Sequence, residues 1–418
     1  MQTHLKDKTK SYLETFKQRQ HKIKFNMSVS GVLAPVKDFI GWDKYQIDDF
    51  VFRLHSKLTV VILLTFSLIV TASQFIGDPI DCVVEDIPSS VMDTYCWIHS
   101  TFTLPAKILH KVEGETAHPG VGVPDYQEGS ETYHKYYQWV CFTLFFQMLL
   151  FRFPRSLWHH WEGSRMDKVM PTKIFLSVSD KRMPNFPKPA GVLDEEELNA
   201  SLAQINEFIS QHIGKPRYSG YFIKYQICEW LNLLNVIFQM VLVDVFLGGM
   251  FSTYGMMVFN IANADPEDRA DPMNLVFPKV AKCTFSRMGP SGTIQNYDGL
   301  CVLPINIFNE KIYIFLWFWF LLLAIVTGFG MCYRALTLFS PSVRASTLRT
   351  RSKFLLPQNV CERCVSKLRQ GDWFFLNLVG ANLDPHVFTR LVVQLDKLMA
   401  TRNLGNGVIS AEKLEKIA

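Results

Sequence analysis

Apolar residues in this chain gather into four long runs separated by polar stretches. The runs occupy residues 58–77, 137–153, 227–247 and 312–333; the first is apolar from Leu58 to Ile76 and the last from Ile312 to Tyr333. A helix needs roughly 20 such residues to cross a bilayer. Buried core helices of a large soluble protein are the alternative. The first and fourth runs argue against it, because neither carries a charge along its apolar length.

Shorter periodicities lie between the runs. Val32, Leu33, Val36, Phe39, Ile40 and Trp42 are spaced by three and four, which predicts a short amphipathic helix after Met27. Before it, residues 1–26 form a polar, Lys-rich extension without the apolar centre of a signal peptide. Met27 is a second candidate start. Leu198, Leu202, Ile205, Phe208, Ile209 and Ile213 form one stripe, opened by an Asp194/Glu197 capping arrangement and stopped by Gly214 and Pro216. Phe388, Leu391, Val392, Leu395 and Leu398 form another, opened by Asp384-Pro385, and Gly371–Leu376 begins a further apolar patch. Such stripes must pack on something, so a folded helical layer is predicted around 154–226 and 334–418. In 78–136, Pro88–Ile98 predicts a short helix with Glu85 and Asp86 at its positive end. Glu113–Ser130 predicts an irregular loop.

Polar residues inside the runs follow a pattern too. Thr59, Thr65, Ser67, Thr71, Ser73 and Gln74 in the first suit either contacts between helices or a wet face. In the third, Glu229, Asn232, Asn235 and Gln239 share one helical face, with Asp244 beyond them. Ionisable groups at membrane depth face a bundle interior or water. Bonding between helices or subunits and pore lining are both open.

Charge fixes an orientation. The formal net charge of +5 says little; its distribution says more. About eleven Lys and Arg precede the first run, about ten lie in 154–226 and about thirteen follow the fourth run. The 78–136 segment holds only Lys107, Lys111 and Lys135 against about ten acids. By the positive-inside rule, 1–57, 154–226 and 334–418 are cytoplasmic, and 78–136 and 248–311 are extracellular. Cysteine usage agrees: Cys82 and Cys96 fall in the first outer segment and Cys283 and Cys301 in the second, an even number in each exported loop. Sequence leaves three pairings of these four open.

Catalytic chemistry has little support. No phosphate-binding Gly-rich loop, nucleophile elbow or His-Glu-x-x-His occurs. Cys361-x-x-Cys364 is one pair without a second, and His159-His160 between Trp158 and Trp161 reads as headgroup contact. No enzyme activity, cofactor, metal or nucleic-acid partner is expected.

The sequence Tyr136-Tyr137-Gln138-Trp139-Val140 at the head of the second run resembles a hallmark of the innexins, the invertebrate gap-junction proteins. Similar stretches are Ile76–Cys82, Asp93–Trp97, Phe277–Phe285, Leu300–Pro304 and Asn309–Phe320. The resemblance runs from about Met27 into the tail. It implies a large-pore channel of eight subunits, homomeric or mixed with other innexins, in which two half-channels of apposed plasma membranes dock. It also implies an amino-terminal helix in the pore and, from related large-pore channels, the pairings Cys82–Cys301 and Cys96–Cys283. Two departures stand out: the basic extension, and Trp161-Glu-Gly-Ser164 where the family has Trp-Glu-Gly-Gly.

The expected fold is therefore an all-α membrane protein: a four-transmembrane-helix bundle with disulfide-stapled extracellular loops containing some β structure, and a helical cytoplasmic layer. The expected function is a gap-junction channel subunit in contact with membrane lipids. An undocked hemichannel releasing small solutes and a non-conducting adhesion protein are the alternatives. Glu85, Asp86, Asp48 and Asp49 are the pore-mouth candidates, favouring cations mildly.

Overall fold

A computed structural model describes residues 45–109, 118–122, 131–170, 195–213, 216–262 and 272–403. The basic extension, the helix expected after Met27 and the Asp194 cap lie outside the described residues.

Among the described residues, four helices are long and apolar enough to cross a membrane: α1 (Phe50–Phe75), α4 (Val140–Glu162, its segment continuing to Val169), α7 (Pro216–Phe246) and α10 (Ile305–Phe339). Each outruns its apolar sequence at one end or both, because the run marks the lipid-facing part and the helix continues into protein layers on either side. Thus α7 begins at Pro216 and α10 passes Arg334. The helix of α4 likewise continues through Pro154, whose missing N–H would be costly in an isolated helix and is tolerated where neighbours pack around it.

Within α1 the turn widens to π geometry over Leu54–Thr59. Thr59 Oγ1 donates to the Leu54 carbonyl at 2.9 Å, and Ser56 Oγ to that of Phe52 at 2.7 Å. The same turn pins α1 to α10: His55 Nε2 meets Thr327 Oγ1 at 2.7 Å, and Trp319 Nε1 donates to Thr59 Oγ1 at 3.0 Å. A widened turn of this kind aims side chains that a regular helix would misdirect.

Beyond one end of the spans lies a small sheet with α2 (Ser89–His99) laid on it. Its strands are β1 (Asp81–Val83), β2 (Thr101–Thr103), β3 (Thr132–His134), β4 (Val280–Met288) and β5 (Ile294–Val302), in the order β1-β5-β4-β2-β3. Every pairing is antiparallel. A short α3 (Ala106–Leu109) follows β2. Gly299 in β5 permits the close approach of α2, since a Cβ there would stand 2.5 Å from Met92 Cε. The 248–311 segment also contains α8 (Phe251–Ala262) and the short α9 (Pro272–Val276), helices that periodicity did not predict. Gly248 and Gly249, with φ of 70° and 83°, turn the chain between α7 and α8.

At the other end the helices share one apolar core with α5 (Arg165–Val169), α6 (Glu195–His212), α11 (Pro341–Arg351), α12 (Gln358–Lys367), α13 (Gln370–Asn382) and α14 (Pro385–Asn403). The predicted stripes supply it: Leu202, Ile205 and Ile209 from α6, and Phe388, Leu391, Val392 and Leu395 from α14. Asp384 accepts from His386 N at 2.9 Å at the head of α14. Helix α13 is covered on every side, and Gly371 lets it approach α7, where a Cβ would lie 2.5 Å from the Tyr218 carbonyl.

Candidate functional site

Two regions carry the polar chemistry: the disulfide cap on the sheet end and a buried charge cluster where the spans enter the helical layer. In the cap, Cys82 on β1 sits directly opposite Cys301 on β5 in the strand register, and the two are bonded with Cα atoms 4.0 Å apart. Cys96 on α2 is bonded to Cys283 on β4, which clamps the helix to the sheet. The two bridges lie side by side, with the sulfurs of Cys82, Cys96 and Cys301 within 4.8 Å of one another. Asp93 on α2 accepts from Cys82 N at 2.7 Å and ties the helix to β1 as well. Glu85 and Asp86 are exposed between β1 and α2, with Asp86 in the left-handed region at φ 62°.

The Tyr136–Val140 sequence joins the cap to the spans. Tyr136 packs edge-on against Phe277 at 5.7 Å and Phe246 at 6.5 Å. Tyr137 is buried against Trp97, and its carbonyl accepts from Gln74 Nε2 on α1 at 2.8 Å. Gln138 Nε2 donates to the Trp97 carbonyl, closing α2 onto α4. Val140 is buried; only Trp139, 60% exposed, stands outward as an interfacial aromatic would. Nearby, burial pushes His134 down to about 4, so the ring is neutral, 2.8 Å from Thr103 Oγ1.

At the opposite end, residues 45–49 thread through the helical layer. Asn382 on α13 holds Gln46 by both backbone groups, accepting from its N at 2.6 Å and donating to its O at 2.9 Å. Asp48 is 3% exposed and takes Arg155 Nε on α4 at 2.6 Å, with the His159 ring 3.7 Å away. Burial alone would raise the Asp48 carboxyl; hydrogen bonding from His159 and the charge of Arg155 outweigh that and hold it below the ordinary carboxylate value. Asp49 caps α1, accepting from Phe52 N at 2.8 Å, and also accepts from Arg334 at 3.1 Å. Asp48, one of the expected pore-mouth acids, is buried among protein groups, and Asp49, another, is engaged by the α1 cap and Arg334. Trp158, one turn from Arg155 on α4, is buried against Tyr221 and Tyr225.

Arg334 organises this cluster. Its guanidinium donates to both carboxylate oxygens of Glu229 on α7 and lies over the rings of Tyr225 and Phe374, 5.3 and 5.5 Å from their centroids. Beyond Glu229, Asn232 and Gln239 are buried within the bundle, and Gln239 Nε2 donates to Asn235 Oδ1 at 3.2 Å. Asp244 accepts from Ser252 N at 2.7 Å across the α7–α8 turn. A cavity of about 200 Å³ opens beside Arg334, bordered by Asp49, Val51, Tyr333, Thr347 and Arg351. Of the first-span polar residues, Ser67 donates to the Cys141 carbonyl at 3.0 Å, which binds α1 to α4, while Thr65 points outward.

Sequence reasoning missed Arg155, Arg334 and Asn382. The one signal for Arg334 was a charge set at the end of an uncharged run. Cys361 and Cys364 are buried and unbridged, and burial pushes the Cys364 thiol up to about 12, which suits packing.

The innexin family model matches residues 48–399 of this sequence. The chain belongs to the innexin family. Innexin inx2 of Schistocerca americana is 46% identical over 373 residues, covering 89% of this chain and 99% of that protein. Innexin inx2 of Drosophila melanogaster is 45% identical over 369 residues, covering 88% and 96%. Innexin shaking-B of Drosophila melanogaster is 40% identical over 365 residues, covering 87% and 93%. Set beside the family's Trp-Glu-Gly-Gly, this innexin has Gly163 and Ser164 both left-handed, at φ 61° and 57°.

Proposed function

We propose that this innexin is a subunit of a gap-junction channel, eight to a half-channel, and that two half-channels dock across apposed plasma membranes. Innexins form gap-junction channels in invertebrates. The single observation that best supports docking by this chain is the cap: both outer segments are bonded into one sheet whose β4–β5 hairpin leaves Met288 and Ile294 at its tip, each 71% exposed. Among monomeric surfaces, apolar residues so placed suit a protein contact. The only Asn-x-Ser/Thr acceptors are Asn26 and Asn199, so no sugar obstructs that face.

In this reading the helical layer and both termini are cytoplasmic, as the Lys and Arg distribution requires, and the sheet is extracellular, where its disulfides persist. Glu85 and Asp86 ring the outer mouth and give a mild cation preference. No chemistry is needed beyond a wet passage for ions and small solutes. Dye transfer between paired cells that both express the protein is the test. Transfer that requires expression on both sides is expected. Dye uptake by single cells without transfer between pairs points instead to an undocked hemichannel, and absence of unitary current in every condition points to adhesion alone.

A further inference from the structure

The end of α11 carries an unusual backbone turn. Lys353 and Phe354 are consecutive non-glycine residues in the left-handed region, at φ 49° and 66°. That conformation is disfavoured for a side chain as large as phenylalanine. Buried Ser352 holds it, donating to the Arg349 carbonyl at 2.8 Å and accepting from Leu356 N at 3.3 Å. The turn pushes two apolar side chains out of the protein, with Phe354 66% and Leu355 44% exposed. Arg349 lies over the Phe354 ring at 5.5 Å, and Lys353 is exposed beside it.

The fold sets this turn at a particular level. After Ser340 the chain reverses, and Thr347 on α11 meets Tyr333 on α10 at 2.9 Å, so α11 runs back beside the helix that precedes it. Thr347 and Arg351 border the same cavity as Gly330 and Arg334. Thr347 is therefore level with Tyr333 at the end of the apolar run, and the Lys353–Leu355 turn follows roughly a turn and a half further along α11. At that level α10 itself presents Phe329 and Leu336 outward, with Phe339, 87% exposed, at its end. Bulky apolar groups with cations alongside, at the rim of a membrane helix, match the apolar–headgroup boundary of an anionic leaflet.

We propose that the Lys353–Leu355 turn anchors the helical layer to the membrane surface. Phe354 and Leu355 enter the headgroup–acyl boundary, and Arg349 and Lys353 meet anionic headgroups. This rests on the reading of α10 as a span with residues 334–418 on the cytoplasmic side.

The full chain, with Cys332→Ser to remove the exposed free thiol, is reconstituted in nanodiscs containing phosphatidylserine. A nitroxide is attached at Phe354→Cys, Leu355→Cys, Ser346→Cys or Phe329→Cys in turn. Collision with oxygen is compared with collision with a water-soluble nickel chelate. Phe329→Cys reports the span itself, so failure of the span reading appears there and failure of the anchor only at 354 and 355. Oxygen should prevail at 354 and 355 and nickel at exposed Ser346, with 354 shifting toward water when phosphatidylcholine replaces phosphatidylserine. Nickel access at both turn positions, or shielding from both reagents as at a contact between subunits, overturns the anchor. Equal depth in the two lipids overturns the role of Arg349 and Lys353.

Discussion

Arg334 on α10 and Glu229 on α7 meet at 2.7 Å inside the protein, and Asp49 takes the same guanidinium at 3.1 Å. One cation serves two carboxylates from two other helices, so three parts of the chain depend on a single side chain. Arg334→Gln leaves Glu229 without a countercharge in a poorly solvated place and takes a partner from the half-buried Asp49. Breaking a buried pair from one side costs about 3–5 kcal/mol. Thermal unfolding followed by size exclusion of the solubilised protein should show that loss. Glu229→Gln combined with Arg334→Gln should recover part of it. A single variant as stable as the parent would remove the cluster from any structural role.

Asp48 gives a pH-dependent test. Its carboxyl is held below the ordinary value near 3.8, so its contribution is fully present above that value and lost as pH falls through the lower folded value. Asp48→Asn should be less stable than the parent by about 3–5 kcal/mol at pH 7, because Arg155 is left buried. The gap between the two proteins should narrow only below about pH 4. Melting curves from pH 7 to pH 3 measure it. A gap that closes near pH 6 would assign the effect to another group.

How much of this could be read from the chain depends on the range of the interaction. The spans were legible because lipid selects against charge locally, residue by residue, and the α6 and α14 stripes because a helix repeats its buried face every three or four positions. The ends of α7 and α10 were not legible: whether a helix continues past Arg334 depends on Glu229, 105 positions away. The pairing of Asp48 with Arg155 was not legible for the same reason, Arg155 lying on another helix. The facing of Cys82 and Cys301 is a matter of strand register across a separation of 219 residues, which spacing alone does not encode. Helix α8 was hidden because twelve residues after a Gly-Gly turn resemble a loop rich in small and apolar side chains.

Ser164 sits where the family pattern has glycine, and its φ of 57° is one that glycine adopts without a Cβ penalty. Ser164→Gly should therefore raise stability, by about 0.5–1 kcal/mol after the greater unfolded-state entropy of glycine is allowed for. The same thermal assay reads it. A drop in stability would mean that the hydroxyl makes a contact worth more than the strain.

The neighbouring bridges predict an asymmetry among cysteine variants. In Cys82→Ser the freed Cys301 thiol lies within 4.8 Å of the Cys96 sulfur and can attack the Cys96–Cys283 bridge by exchange. In Cys82→Ser with Cys301→Ser no thiol remains to do so. The double variant should lose about 2–5 kcal/mol, as for one native disulfide, and keep Cys96–Cys283 intact. The single variant should show scrambled bridges by peptide mapping and a larger loss of surface protein. Equal outcomes would mean that the cap keeps the sulfurs from reaching one another.

Asp86 carries the selectivity proposal. Its exposed carboxylate follows β1 at a left-handed position that asparagine also tolerates, so Asp86→Asn removes charge with little change of backbone. Asp86→Lys reverses the charge at the same place, and in a ring of eight copies the change is multiplied. Charge rings of this kind act on the permeating ion directly. Reversal potentials under a salt gradient should move toward the anion value, modestly for Asp86→Asn and further for Asp86→Lys, and Glu85→Gln should add to the first. Screening confines the effect to roughly 8 Å at physiological salt, so the shift should grow as the bath is diluted. A conducting Asp86→Lys channel whose reversal potential is unchanged at low salt would place Asp86 away from the conduction path.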